Sequence, residues 1–146
     1  GRIALHQFHE LAAEFDVKRL HYTGSAFKAT TVATLRSQRA AGFTLSTSIH
    51  DLSSLPLVEN FHYVFFGPVF NSISKVGYQG IVPDNFQLDK TGLTNGIIAL
   101  GGVQISKLPL IKRMNFDGAA VLGAIWDDPH QAVKRFKQLQ EQLLCY

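Results

Sequence analysis

Residues 96–125 constrain the fold most, because they read as a strand, a helix and a second strand with glycine near the end of each strand. The first run, GIIALGGV, is continuously apolar, as in a strand buried on both faces of a parallel sheet, and it stops at Gly101 and Gly102. The second run, GAAVLGAI, repeats the pattern and carries Gly123. The pattern predicts a βαβ unit within an α/β fold.

The segment between these runs, QISKLPLIKRMN, has the features of a helix. Ser106 is the predicted amino-terminal cap, and Pro109 is tolerated in a first helical turn. Apolar Leu108, Ile111 and Met114 recur at helical spacing, which predicts that they face the core.

Glycine-rich turns after two successive strands leave backbone amides free to approach an anion. In an eight-fold barrel, the turns after the last two strands commonly hold a phosphate. We therefore predict a phosphate-binding (β/α) barrel, with Gly101, Gly102 and Gly123 at the phosphate. The alternative is that these small residues only let strands and helices pack closely.

The rest of the chain continues the alternation of strands with helices or loops, which predicts a parallel sheet. The six predicted strands are residues 2–7, 19–23, 43–49, 61–70, 96–103 and 118–125. Helices are predicted at 9–15, at 30–41 with Gly42 as its carboxyl cap, at 51–60 with Asp51 as its cap, and after Asp128, Pro129 and Gln131. Loops are predicted at 24–28, 71–84 and 85–95.

Core positions follow from the same patterns. The last helix is predicted to bury Ala132, Val133, Phe136, Leu139 and Leu143. We expect Tyr63, Phe65 and Phe66 to lie in the core and Trp126 to pack under the last helix.

The length of 146 residues, 46% of them hydrophobic, is enough for a single globular domain at residues 1–146. Barrels of this type usually have about 250 residues. Because residues 2–7 already read as a strand, we expect that an amino-terminal portion is absent.

The net charge of +3 comes from scattered lysines and arginines, which suits an acidic small molecule better than a nucleic acid. Cys145 is the single cysteine, so we expect neither a disulfide nor a cysteine-rich metal site, and a cytoplasmic setting. No apolar run reaches the roughly 18 residues of a membrane span. The oligomeric state is left open, with a homodimer as one option.

Five motifs, in this order, resemble the thiamin phosphate synthase and TenI family. They are SIH (48–50), FFGPVFNSISK (65–75), ALGGV (99–103), DGAAVLGAI (117–125) and the following DP (128–129). Members of that family are TIM (β/α)8 barrels, so the resemblance implies that this chain carries about six of the eight β/α units, from the third to the eighth.

The resemblance implies a transferase that joins hydroxymethylpyrimidine diphosphate to thiazole phosphate, with magnesium, to give thiamin phosphate. It implies that Ser72, Ser74 and Lys75 contact the diphosphate and that Ser48 lies near the pyrimidine and diphosphate. It places Gly102, Leu122 and Gly123, with Gly101, at the phosphate of the thiazole or product. Ser48 and Lys75, together with His6, are the candidate catalytic residues.

The chain departs from the family at its acidic positions. The family's Asn-Asp reads His6-Gln7, and the next acidic position is Ala26, so the magnesium ligands are not evident. The TenI branch isomerises a thiazole carboxylate phosphate, and its catalytic histidine falls at Pro68. The alternatives to the synthase are therefore a TenI-like tautomerase and a non-catalytic thiazole or thiamin phosphate binder.

Three histidines lie in or at the end of predicted strands. His6 is a candidate acid or base, because its strand end faces the presumed site, although a structural imidazole is the simpler interpretation. His21 is assigned to core or rim packing, and His50 to orientation of a neighbouring loop. A site in which the three histidines bind a metal lacks supporting ligand spacing.

Overall fold

The computed structural model describes residues 2–71, 80–83 and 85–144. Leu144 is described by its backbone only. Five strands form one sheet in chain order: β1 (Arg19–Tyr22), β2 (Thr44–Ile49), β3 (Tyr63–Phe66), β4 (Gly96–Leu100) and β5 (Gly118–Ala120). The α-helices are α1 (Gly24–Lys28), α2 (Val32–Ala40), α3 (Leu108–Arg113), α4 (Gly123–Trp126) and α5 (Ala132–Leu144). Short 3-10 helices lie at His9–Ala12, Leu52–Val58, Ile105–Lys107 and Pro129–Gln131.

The fold class is α/β, as predicted. Pairs β1·β2 and β4·β5 are parallel, with Leu20 beside Leu45 and Leu100 beside Ala120. Contacts divide the chain into two compact units, one formed by Gly1–Phe65 with Gly92–Gly96, the other by Phe66–Thr91 with Ile97–Tyr146. The single domain therefore stays a prediction. No helix in the described ranges is both long enough and apolar enough to span a membrane.

The first unit has its core between the sheet and α2. Fully buried residues are Leu20, Leu35, Leu45, Val58, Phe61 and Val64. Phe61 is contacted edge-on by the ring of Phe27, with centroids 5.1 Å apart. Two predicted caps are confirmed, since Asp51 accepts a hydrogen bond from the backbone of Ser53 at 2.9 Å and Gly42 follows α2 with φ of 84°.

Three predictions in the first unit were wrong. Residues 2–7 form only a bridge at Leu5, which pairs with Leu20, because the backbone hydrogen bonds reach no further along this segment. The predicted helix 9–15 is a 3-10 helix at His9–Ala12. The predicted loop 24–28 is α1, and the hydroxyl of Thr23 caps it by accepting from Ala26 N at 3.3 Å.

The second unit is built on the segment that dominates the sequence. Leu108, Ile111 and Met114 are buried, as predicted, and Pro109 lies in the first turn of α3. Ser106 is not the cap, because a 3-10 helix at Ile105–Lys107 precedes α3 and leads directly into it.

Three of the strands are shorter than predicted. Residues 61–70, 96–103 and 118–125 become β3, β4 and β5, since regular pairing stops before the glycines. The last residues of the predicted strand 118–125 form the start of α4 instead. The Gly67–Pro68 peptide bond that follows β3 is cis.

Fewer apolar residues of α5 are buried than its amphipathic pattern predicts. Ala132 and Leu139 are buried, but Val133, Phe136 and Leu143 are exposed, and so is Trp126. Of the three predicted core aromatic residues, Phe66 is fully buried, while Tyr63 and Phe65 are half-buried, because alternate residues of β3 face opposite sides of the sheet. Asp128 caps the last helical segment by accepting from His130 N at 3.0 Å.

Candidate functional site

The turns after β4 and β5 lie at the same edge of the sheet. The two strands are parallel and in register, with Leu100 beside Ala120, so the chain leaves both strands in one direction. Gly101 and Gly102 follow β4 with φ of 92° and 63°, a conformation that glycine adopts without steric cost. Gly123 follows β5 as the first residue of α4.

Gly101 and Gly102 have a packing reason to be glycine. A Cβ at Gly101 would lie 2.8 Å from Pro68 Cα, and one at Gly102 would lie 2.8 Å from the carbonyl carbon of Phe70. Backbone hydrogen bonds join the same segments, because Val69 N donates to Leu100 O at 2.8 Å and Phe70 N donates to Gly101 O at 3.1 Å. At these two positions, close packing explains the glycines without a ligand.

Gly123 has no such packing reason. No atom lies within 4 Å of a Cβ built on it, and its φ is not positive. The neighbouring Leu122 is 71% exposed. Amides in the first turn of a helix have no partner within the helix, so the backbone at Gly123 can donate to an anion. Gly123 is therefore the predicted phosphate-binding glycine at which the two interpretations, phosphate binding and close packing, can be told apart.

A cavity of about 530 Å³ lies beside Gly123. Its lining residues are Gln104, Ile105, Ser106, Gly123, Ala124, Asp127, Arg135 and Gln138. The cavity brings the segment after β4 and the start of α4 to one opening. Arg135 adds a guanidinium from α5, a residue that the sequence pattern places only on a charged helix face.

A second cavity, of about 460 Å³, is lined in part by Gly102. Its lining residues are Val69, Phe70, Asn71, Gly80, Val82, Pro83, Gly102, Gln104 and Lys107. Lys107 Nζ lies 5.2 Å from the centre of the Phe70 ring, a distance at which a cation is attracted to the ring face. Predicted diphosphate residues Ser72, Ser74 and Lys75 lie outside the described residues.

The first unit holds a polar cluster around His21, which is 6% exposed. His21 Nδ1 lies 3.0 Å from Ser46 Oγ, and Nε2 lies 3.5 Å from Ser48 Oγ. The exposed ring of His6 packs against the His21 ring, with centroids 4.4 Å apart. Burial, with smaller contributions from the nearby His6 and His9, lowers the pKa of His21 to about 4. The imidazole is therefore neutral near pH 7.

Two predicted catalytic residues, His6 and Ser48, thus both lie against the ring of His21. Sequence patterns assigned His21 to packing, and its burial agrees, but its ring also contacts hydroxyl groups on β2. The sequence did indicate that Ser46 and Ser48 share a face of β2, because side chains alternate between the two faces of a strand. The pairing of His21 with Ser46 across the parallel strands needed the structure.

The fold and the two turns define a parallel α/β protein with a candidate anion-binding edge. Residues 3–125 match the family model described as thiamine monophosphate synthase. The chain belongs to this family.

Among curated relatives, the thiamine-phosphate synthase of Lysinibacillus sphaericus is 31% identical over 108 residues, 70% of this chain and 51% of that protein. The thiamine-phosphate synthase of Mannheimia succiniciproducens is 27% identical over 92 residues, 62% of this chain and 41% of that protein. The chain thus spans about half the length of these relatives, or less.

The fold agrees with a solved structure. A thiamine phosphate pyrophosphorylase from Pyrococcus furiosus aligns with a TM-score of 0.68 at 16% identity, covering 96% of this chain and 68% of that one. At this identity the likeness concerns the fold alone.

Proposed function

We propose that the protein acts in thiamine biosynthesis as a transferase of the thiamine-phosphate synthase type. It joins hydroxymethylpyrimidine diphosphate to thiazole phosphate and releases diphosphate. The family match over residues 3–125 and the two curated relatives support this proposal.

The observation that carries the proposal is the open turn at Gly123. It lies beside a cavity that also receives Ser106 and Arg135, so amides, a hydroxyl and a guanidinium are available to one phosphoryl group. In the proposed role, Gly102, Leu122 and Gly123 supply backbone contacts to the phosphate of the thiazole. Gly101 shapes the turn that precedes them.

Departure of diphosphate leaves positive charge on the pyrimidine, so the protein must hold the leaving group and place the thiazole nitrogen close by. Ser72, Ser74 and Lys75 are assigned to the diphosphate by resemblance. Ser48 and His6 are assigned to the pyrimidine side, next to the neutral ring of His21. A neutral imidazole avoids repelling a developing cation.

Magnesium has no evident ligand set in the described residues. Carboxylate oxygens are its preferred protein ligands, and the described ranges contain no group of three or more His, Cys, Asp or Glu side chains that could hold a metal ion. By the sequence resemblance, Gln7 and Ala26 stand at the family's two acidic positions. The residues described do not fit the metal, and no step is assigned to it.

The tautomerase alternative is not favoured. Pro68, which follows the cis peptide bond after β3, stands where that branch has its catalytic histidine. The non-catalytic binder is an outcome of the experiment below.

The test introduces a negative charge at the proposed phosphate site. In the protein that carries this chain, Gly123→Asp should fold normally, because a side chain there meets open space. It should weaken thiazole phosphate binding about fivefold or more, since a carboxylate beside a phosphate costs on the order of 1 kcal/mol. Binding is measured by calorimetry, and turnover by thiamin phosphate formation with magnesium present.

Thr94→Asp is the matched control, because Thr94 is an exposed residue that precedes the start of β4, whereas Gly123 follows the end of β5. It adds the same charge and should change neither binding nor turnover. Unchanged affinity of Gly123→Asp for thiazole phosphate would refute the phosphate site. Tight binding of both substrates by the unsubstituted protein without product would establish the binder instead.

A further inference from the structure

A chain of polar contacts runs through the buried imidazole of His21. The ring nitrogens reach two serine hydroxyls on β2, Ser46 at 3.0 Å from Nδ1 and Ser48 at 3.5 Å from Nε2. The parallel register places His21 directly beside Ser46, and Ser48 lies two residues further on the same face of β2. The sheet backbone therefore fixes the three side chains together.

The hydroxyl of Ser46 decides which ring nitrogen carries the proton. Ser46 Oγ also lies 3.5 Å from the carbonyl oxygen of Leu20, to which it donates its one proton. With that proton engaged, the oxygen accepts a hydrogen bond from His21 Nδ1–H. A neutral imidazole has a single N–H, so Nε2 is left as an acceptor.

The surroundings keep the ring in place and neutral. His9 Nε2 donates to the carbonyl oxygen of His21 at 3.1 Å, the ring of Phe65 lies edge-on at 5.6 Å, and the tilted ring of His6 lies at 4.4 Å. The titratable groups that interact with the ring are His6 and His9, and both disfavour its protonation. Nε2 is therefore available to the hydroxyl of Ser48 at neutral pH.

We propose that His21 is a positioning residue that accepts the hydroxyl proton of Ser48, so that the oxygen of Ser48 presents its lone pairs to an N–H donor of the ligand. The ligand chemistry that fits is an N–H donor such as an amino group, and its assignment to the pyrimidine rests on the proposed function. The contact of 3.5 Å is long for an O–H···N bond, and such contacts commonly shorten when ligand binds.

The proton location is measurable without any substrate. In the protein that carries this chain, labelled with nitrogen-15, two-bond proton–nitrogen spectra distinguish the two tautomers, and His21→Gln assigns the signals. We expect a proton on Nδ1, none on Nε2, and no protonation of the ring down to about pH 5. A proton on Nε2, or a charged ring at pH 6, overturns the inference.

Substitution of Ser46 tests the cause. Ser46→Ala removes the acceptor and should produce a mixture of tautomers, whereas Ser46→Thr keeps a hydroxyl and should restore the Nδ1–H form. Thr47→Val is the matched control, because Thr47 carries a buried hydroxyl on the other face of β2, bonded to Tyr22 O at 2.8 Å. A tautomer unchanged in Ser46→Ala contradicts the assignment.

Activity separates this inference from the proposed function. If the protein makes thiamin phosphate, Ser46→Ala should lower kcat/KM by about five- to tenfold, the size expected for one neutral hydrogen bond, and Thr47→Val should not. Full activity of Ser46→Ala would refute the positioning role. The expected tautomer in a protein without turnover would refute the proposed function and leave the hydrogen-bond assignment standing.

Discussion

Replacing Asp117 by alanine should destabilise the pairing of β4 and β5. Asp117 precedes β5, and its carboxylate accepts from Ile97 N and from Lys90 Nζ, both at 2.7 Å. Asp117 N donates in return to Ile97 O at 2.9 Å. Ile97 is fully buried, so removal of the carboxylate leaves its amide without an acceptor.

The expected loss is ~2 kcal/mol. An unsatisfied buried amide costs about 1–3 kcal/mol. The ion pair adds little, because Lys90 and Asp117 side chains are 29% and 37% exposed, and such pairs contribute roughly 0–1 kcal/mol. Lys90→Met should therefore cost under about 1 kcal/mol. In a chain of this size ~2 kcal/mol lowers Tm by about 4–8 °C.

Urea unfolding at pH 7, followed by circular dichroism, measures the difference. Burial raises the pKa of Asp117, but hydrogen bonds from Ile97 N and Lys90 outweigh it and hold the pKa below its usual value. The carboxylate thus stabilises the fold above the ordinary pKa of about 3.9, and this contribution is lost as the pH falls through the lower folded value. If Lys90→Met cost as much as Asp117→Ala, the reasoning from the buried amide would be refuted.

Two further predictions concern burial. The pKa of His21 is about 4 in the folded protein and 6.5 in the unfolded chain, so the unfolded chain takes up the proton first as the pH falls below 6.5. The free energy of unfolding, measured with urea, should therefore be about 2–3 kcal/mol lower at pH 4.5 than above pH 6.5. His21→Gln should show a flatter profile, and equal pH dependence would contradict the assignment. Leu139→Ala should cost about 2–4 kcal/mol because Leu139 is 6% exposed, whereas Val133→Ala, at a position 70% exposed, should cost under about 0.5 kcal/mol. Equal losses in the two variants would show that the buried stripe of α5 is misassigned.

Local patterns predicted the elements of residues 96–125 well, because the information lies within a few positions. An uninterrupted apolar run predicts a buried strand, glycine ends it, and apolar side chains three residues apart define the inner face of α3. The same information could not define the ends of β4 and β5, since regular pairing depends on both strands. It could not predict α1, which is only five residues long and begins with a glycine.

Contacts between distant residues were beyond the sequence pattern. Ser46 and Ser48 are 25 and 27 positions from His21, and only the strand register brings them to its ring. The exposure of Val133 and Phe136 has a related cause, because an amphipathic helix marks an apolar side without identifying what covers it. Gly101 and Gly102 were found from the sequence, but their close packing against Pro68 and Phe70 was visible only in three dimensions.

The backbone contact between the segments after β3 and β4 limits how this protein can be redesigned. A methyl group at Gly67 would overlap the carbonyl oxygen of Leu100, and Gly101 and Gly102 tolerate no larger residue for the same reason. Libraries that seek altered ligand preference should therefore leave these three positions constant and diversify the cavity walls instead, at residues such as Gln104, Lys107 and Arg135.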